Sequence, residues 1–205
     1  MGKHIALIGA SGNIGTKITN ELLSRGHTVT AICRNPEKVQ AREGVTALQG
    51  DLTDPAAISQ SLKGHDAIIC ASSFIPGQSE KVVEAVRQSG VNRFLMVGGA
   101  ASLLDENGNK IWDSLDLPPE VMNYIEEGMR ALDLLKEVDD FDWTFFSPAV
   151  LIGPGERTGK FRLGQDNVVK DESGESKISY DDYAVAMVDE LEQNNNIKAR
   201  FTAAY

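Results

Sequence analysis

The chain has 205 residues, 41% hydrophobic and 24% charged, which is enough for one well-packed domain and short for two. A formal net charge of -10 leaves no basic excess to neutralise phosphates, arguing against nucleic acid and anionic membranes as partners. The N-terminal apolar run spans only about five residues before glycine-rich turn chemistry begins, which fits neither a signal peptide nor a membrane span.

In chain order, residues 4–9 read as a buried strand, 13–25 as a helix closed by Gly26, and 28–33 as a second, β-branched strand. Cys33 ends that strand and Cys70 falls near the end of another. Neither has a metal-ligand cluster around it, so buried free thiols in a reducing cytoplasm are expected. Asn35-Pro36 signals a helix start, and 45–49 reads as a third strand. Asp54 then caps a short helix with Pro55 at its first position and Gly64 as its stop. A fourth strand over 67–71 is followed by a helix over 79–89, ended by Gly90, and a fifth strand over 93–97.

The stretch 98–121, "GGAASLLDENGNKIWDSLDLPPEV", is polar and turn-rich, the kind of long excursion that carries function. The spacing predicts a long helix over 119–138, a candidate surface for pairing with a second copy. A sixth strand over 143–146 ends at Pro148. Residues 153–179 read as loop and short hairpin pieces, with 157–167 as a candidate lid, mobile in the empty protein. An amphipathic helix over 180–193 is apolar at Tyr183, Ala184, Met187, Val188 and Leu191, and 199–205 reads as a last short strand. Strands alternating with helices mean crossover units and a parallel sheet covered on both faces. The expected fold is a single doubly wound α/β domain, with strand order 3-2-1-4-5-6 plus a small seventh strand. Segments 99–120 and 152–180 would form a small substrate-side region.

"LIGASGNIGTKI" joins the first strand to the first helix. Gly9 allows a tight turn out of the strand, Gly12 lets the backbone approach a pyrophosphate, and Gly15 lets the helix pack close to the sheet. Asn13, Ile14 and Gly15 open the helix, whose free N–H groups point at negative charge. Ser11 and Asn13 add side-chain donors. This context predicts a dinucleotide site.

The spacing Gly-x-x-Gly-x-x-Gly resembles the short-chain dehydrogenase/reductase superfamily. Other stretches carry the same likeness. "GDLTD" is similar to the place where that superfamily sets an acidic residue beside the adenine, which implies Asp51 and Leu52 at the cofactor. "ASS", Ala71, Ser72 and Ser73, resembles the small-residue stretch lining it. "DWTFFSPAVLIGPG" and "SYDDYAVAMVDELE" look like the atypical branch, the NmrA-like and biliverdin-reductase-B-like group described as NAD(P)H-flavin reductases or sugar-epimerase relatives. The resemblance covers essentially the whole chain. It implies a Rossmann-like fold, with Gly98 and Pro148 at the cofactor, Pro148 beside the nicotinamide.

A site preferring NAD places Asp or Glu about 20 positions beyond the glycines, at the end of the second strand. Here the strand ends in Cys33-Arg34, and no carboxylate comes before Glu37. A guanidinium there matches a 2′-phosphate bidentately, so NADP is the expected cofactor, with NAD as the alternative if Arg34 stacks on the adenine. Lys38 is a possible assistant.

The superfamily's catalysis uses Ser, Tyr and, four residues after the Tyr, Lys. The serine place reads Gly98, Gly99, Ala100, Ala101, so a hydroxyl is supplied only if Ser102 reaches back. The tyrosine place falls at Tyr124, and four residues on stands Gly128. Arg130 lies off that helical face. Tyr124 and Ser102 are thus the candidate catalytic residues of an incomplete set, and no metal site is indicated. This favours hydride transfer from NADPH to a small planar acceptor such as a flavin or quinone, which needs little acid catalysis. Two alternatives stand: a non-catalytic redox sensor of NmrA type, and an epimerase or dehydratase relative. His4 and His27 are expected at solvent and His65 in a turn after Gly64, none with a partner at useful spacing; Trp143 is expected in the core, and Trp112 as a cover for a planar substrate.

Overall fold

The computed structural model describes residues 2–114 and 116–205; Met1 and Leu115 lie outside the described residues. An eight-stranded sheet has the order β3-β2-β1-β4-β5-β6-β10-β8. Its strands are β1 (His4–Ile8), β2 (Thr28–Cys33), β3 (Val45–Gln49), β4 (Ala67–Cys70), β5 (Arg93–Val97), β6 (Asp142–Ser147), β8 (Arg162–Gly164) and β10 (Ala199–Ala204). All pair in parallel except β8, which closes the edge antiparallel to β10. The order 3-2-1-4-5-6 and the added seventh strand are therefore as the alternating pattern predicts.

Both faces are covered, which is why the strands read as continuous apolar runs. Ile5 and Leu7 of β1 enter the core layer under α1 (Asn13–Ser24) and α5 (Tyr180–Gln193), while Ala6 and Ile8 enter the opposite layer. That second layer is roofed by α2 (Pro55–Leu62), α3 (Ser79–Ser89) and α4 (Pro119–Lys136). Asp54 caps α2 through Ala57 N at 3.0 Å, and Gly90 ends α3 in the left-handed conformation, as their sequence positions indicate.

Four local expectations are corrected. Asn35-Pro36 starts only a single 3₁₀ turn, Pro36–Lys38, because the chain turns extended at Val39. The pieces between β6 and α5 do not form a hairpin: β7 (Leu151–Gly153) and β9 (Lys177–Ser179) pair in parallel as a separate two-stranded sheet. The stretch 157–167 is not loose, since Arg157 grips Glu21 through two nitrogens, at 2.9 and 2.8 Å. Buried Asp182 accepts from Thr158 N, Thr158 Oγ1 and Gly159 N, and β8 joins the main sheet. Nor do the histidines stand alone. His27 is buried with Nε2 3.0 Å from Glu192, and the His4 ring lies against that of His65, tilted by 40°, with both Nε2 atoms within 3.0 Å of Thr30 Oγ1. The parallel register sets His4 opposite Thr28, beside the next loop, and so gathers these groups at one sheet edge. Trp143, Cys33 and Cys70 are buried, both thiols free. No helix among the described residues is long and apolar enough to cross a membrane.

Candidate functional site

Strand order reverses between β1 and β4, so the loops leaving them diverge and open a crevice at the carboxyl edge of the sheet. The first loop is shaped by three glycines in three different ways. At Gly9 φ is +82°, and a Cβ would lie 2.6 Å from the Ala71 carbonyl oxygen. At Gly15 a Cβ would lie 2.2 Å from the Gly9 carbonyl oxygen, so only glycine lets α1 start this close to the strand. At Gly12 the nearest atom would be 3.4 Å away, an ordinary contact. Nothing in the protein requires glycine there; what it leaves is open backbone facing the crevice. Gly12 is also the N-cap of α1, with no side-chain cap and no acidic residue in the first turn. Among the described residues no side chain caps the orphan N–H groups at the start of α1, and no acidic residue of its own first turn opposes the helix dipole.

A polar cavity of about 340 Å³ fills this crevice. It gathers nine sequence-predicted residues: Gly9, Ser11, Gly12, Arg34, Asp51, Leu52, Ala71, Ser72 and Ser73. Lys38 joins Arg34 at the rim, and no carboxylate stands at the end of β2. Asp51 is exposed and accepts from Thr53 N at 2.8 Å; this backbone bond, with the Thr53 hydroxyl, holds its carboxyl below the usual range. The other residues of the first helical turn face elsewhere. Ile14 packs on the core, Gly15 sits against Gly9, and Asn13 opens on a neighbouring cavity shared with Lys17 and Asp181.

A second cavity, of about 320 Å³, adjoins the first across the segment 73–75. Ser73 and Ile75 line the polar cavity, Phe74 the other. Gly98, Ser102, Tyr124 and Pro148, predicted from distant parts of the chain, all line this second space. Among the described residues the rest of its lining is apolar or glycine, with no charged side chain. Ile111 reaches it and Trp112 does not, because the Trp112 N–H is tied to the Ala101 carbonyl at 2.8 Å, fixing the chain with its neighbour turned inward.

The two glycines where serine and lysine would stand have packing reasons. A Cβ on Gly98 would fall 2.2 Å from the Phe145 ring, and one on Gly128 would fall 3.1 Å from the Phe74 ring. Phe74 also meets Tyr124 edge-on, ring centroids 5.7 Å apart. Arg130 is engaged with Glu80. Two contributors were missed from the sequence. Phe74 directly follows "ASS", and Arg200 is a lone cation in the otherwise apolar and small β10; that contrast was the available signal. Arg200 Nη1 donates to both the Ser102 carbonyl and Ser102 Oγ at 2.9 Å.

This arrangement has known counterparts. A family model described as NAD(P)H-binding matches residues 9–194. The chain belongs to that NAD(P)H-binding family. The YwnB protein of Bacillus subtilis is 38% identical over 97% of this chain and 96% of its own. A Bacteroides thetaiotaomicron protein provisionally described as an epimerase superposes with a TM-score of 0.94 at 39% identity, covering 100% of this chain and 98% of that one. A Streptococcus pneumoniae protein provisionally described as an NADH-flavin reductase does so with a TM-score of 0.83 at 35% identity, over 99% of each chain. These neighbours agree with the atypical short-chain dehydrogenase group that the motifs resemble. For an NAD(P)H-binding family member, an open Gly12 and an uncapped α1 are the features a pyrophosphate needs, so the residues present fit the dinucleotide.

Proposed function

We propose that this protein is an NADP-dependent reductase that transfers hydride to a small planar acceptor, a flavin or a quinone. The observation that carries the reading is the pairing of the two cavities. A polar one with a cationic rim adjoins an apolar one whose side-chain hydroxyls, among the described residues, are those of Ser102 and Tyr124.

In this reading the Gly9–Gly12 backbone, Ser11 and the first N–H groups of α1, at Asn13, Ile14 and Gly15, hold the pyrophosphate. Arg34, with Lys38, takes the 2′-phosphate and confers preference for NADP over NAD. Asp51 and Leu52 border the adenine, and Ala71, Ser72 and Ser73 line the path toward the second cavity. Gly98 and Pro148 border the nicotinamide end. The bound cofactor supplies a hydride. The apolar walls, with segments 99–120 and 152–180 on the substrate side, exclude water from an electron-poor ring that accepts hydride directly. The relative described as a flavin reductase supports this choice of acceptor. The missing Ser-Tyr-Lys set weighs against an epimerase or dehydratase reaction, which needs that acid–base pair. A reducing cytoplasm suits the buried free thiols.

The test is to mix the pure protein with NADPH or NADH and a panel of flavins, quinones and aldehydes, and to follow the reduced-nicotinamide absorbance. Oxidation with flavins or quinones, faster with NADPH, supports the reading. Tight NADPH binding with no turnover on any acceptor would instead make the protein a redox sensor of NmrA type.

A further inference from the structure

The apolar cavity does not end at Val150 and Ile152. Both residues also wall a neighbouring open groove of about 630 Å³, which follows the two-stranded β7–β9 sheet. Leu151 and Ile178 continue its lining, and the Lys177 stem, opposite Leu151 in the strand register, adds methylenes. Val150 and Leu151 are 42% and 56% exposed, so large apolar side chains face solvent here. The groove's hydroxyl protons are turned back into the protein. Ser179 Oγ donates to the Glu156 carbonyl at 2.8 Å, and Thr158 Oγ1 and the Tyr205 hydroxyl donate to Asp182 at 2.6 and 2.8 Å. The same bonds fix the groove's shape before any ligand arrives. The acceptor cavity itself, at about 320 Å³, is at the small end of the roughly 300–1,000 Å³ usual for small-molecule sites. It takes a ring system and leaves little length for a substituent.

We propose that the β7–β9 groove is a subsite for an aliphatic tail on the acceptor. The ring occupies the apolar cavity, and the tail crosses Val150 and Ile152 to lie along Leu151. The substrate class is therefore an amphiphile, a quinone-type ring carrying an alkyl or isoprenoid chain. A flavin nucleotide fits less well, because its ribityl chain would lay hydroxyls on apolar side chains without partners. Continuity with the reaction cavity selects this occupant. A second copy or a bilayer would have no need to share walls with the acceptor site, and a net charge of -10 opposes contact with a like-charged copy or with anionic lipid. The inference rests on the hydride-transfer reading and deepens it by naming the acceptor's second half.

The experiment titrates full-length protein with dimethoxy-methyl-benzoquinones carrying hydrogen, a propyl or a hexyl chain on the ring, followed by methyl NMR. Each methylene should raise affinity roughly twofold, about half the gain of full burial. The hexyl chain should shift the Leu151 methyl signals beyond what the bare ring does. In Leu151→Gln the gain per methylene should fall by half or more, while Leu48→Gln, at the far edge strand β3, keeps it. A thermal melt checks both folds, and the Leu151 shifts in the unaltered protein locate the tail without any variant. Affinity independent of chain length, a gain retained in Leu151→Gln, or an equal loss in Leu48→Gln overturns the proposal. So does a Leu151-dependent preference for flavin mononucleotide over lumiflavin, which would give the groove to a ribityl phosphate. Leu151 signals that change with protein concentration alone would give it to a second copy. A chain-length gain lost in Leu151→Gln, with no NADPH oxidised by any of the three quinones, overturns the hydride-transfer reading alone.

Discussion

The two cavities are built by opposite means. The polar one is made of backbone: its shape comes from Gly9 and Gly15, each forced by a close main-chain contact, and its chemistry from uncapped N–H groups. The apolar one is made of side chains, and its glycines yield to rings, Gly98 to Phe145 and Gly128 to Phe74. A backbone site can be recognised from spacing, because only glycine satisfies it. A side-chain site is set by which rings the fold brings together.

The largest effects should come from the glycine loop, and they separate architecture from binding. Gly15→Ala places a methyl group 2.2 Å from a main-chain oxygen that cannot swing aside. It should cost on the order of 3 kcal/mol, lowering Tm by about 6–12 °C, and abolish NADPH binding. Gly12→Ala meets no such contact and φ there is -77°. It should cost about 1 kcal/mol as a poorer N-cap, yet weaken NADPH binding by roughly tenfold or more, because the methyl group enters the space the pyrophosphate needs. Melting curves and fluorescence titration read the two quantities. NADPH binding unchanged in Gly12→Ala would remove the pyrophosphate from this cavity.

Arg34→Ala comes next. Loss of a charge-assisted contact should weaken NADPH roughly ten- to hundredfold and leave NADH nearly unchanged. Equal loss for both would mean that Arg34 stacks on the adenine and reads no phosphate.

This contrast also explains what was legible in the chain. Alternating periodicity was enough for the strand order, and glycine spacing for the loop, since both express local backbone demands. The chain pattern also singled out Gly98, Ser102, Tyr124 and Pro148, which the fold brings to one cavity. Phe74 and Arg200 were not legible as members of it, because their relevance comes from β4 and β10 lying on either side of β5 and β6, a tertiary fact. The same holds for the strap at 157–159: its glycine and charges read as mobile, while its anchors, Glu21 and Asp182, lie far away in sequence.

Between the cavities, the segment 73–78 is held from α4. Buried Glu127 accepts from Ser79 N at 2.9 Å at the start of α3. Burial pushes its carboxyl up, but the Ser79 hydroxyl, with the N–H groups of Ser79, Gly77 and Gln78, outweighs that and holds it below the usual range. A depressed folded-state pKa stabilises the protein above the unfolded pKa, and that stability is lost as pH falls through the folded value. Glu127→Gln should therefore cost about 1–2 kcal/mol at neutral pH, with the two melting curves converging in acid. A constant gap across the acid range would locate the effect in packing alone.

The smallest expected effect is the sharpest test of the apolar cavity. Tyr124 is 45% exposed, leans edge-on against Phe74, and has a glycine where a lysine would assist it. Tyr124→Phe keeps the ring contact and removes only the hydroxyl. If hydride passes to an electron-poor ring with its proton drawn from solvent, kcat on a quinone should change by less than about threefold, whereas loss of a general acid costs roughly a hundredfold or more. The pH profile adds an independent readout, since removing a working acid would erase a limb of the kcat curve and removing a wall residue would shift only KM. A hundredfold loss with an erased limb would mean that the acid site persists despite the glycines, and that the two cavities differ less in their chemistry than in their construction.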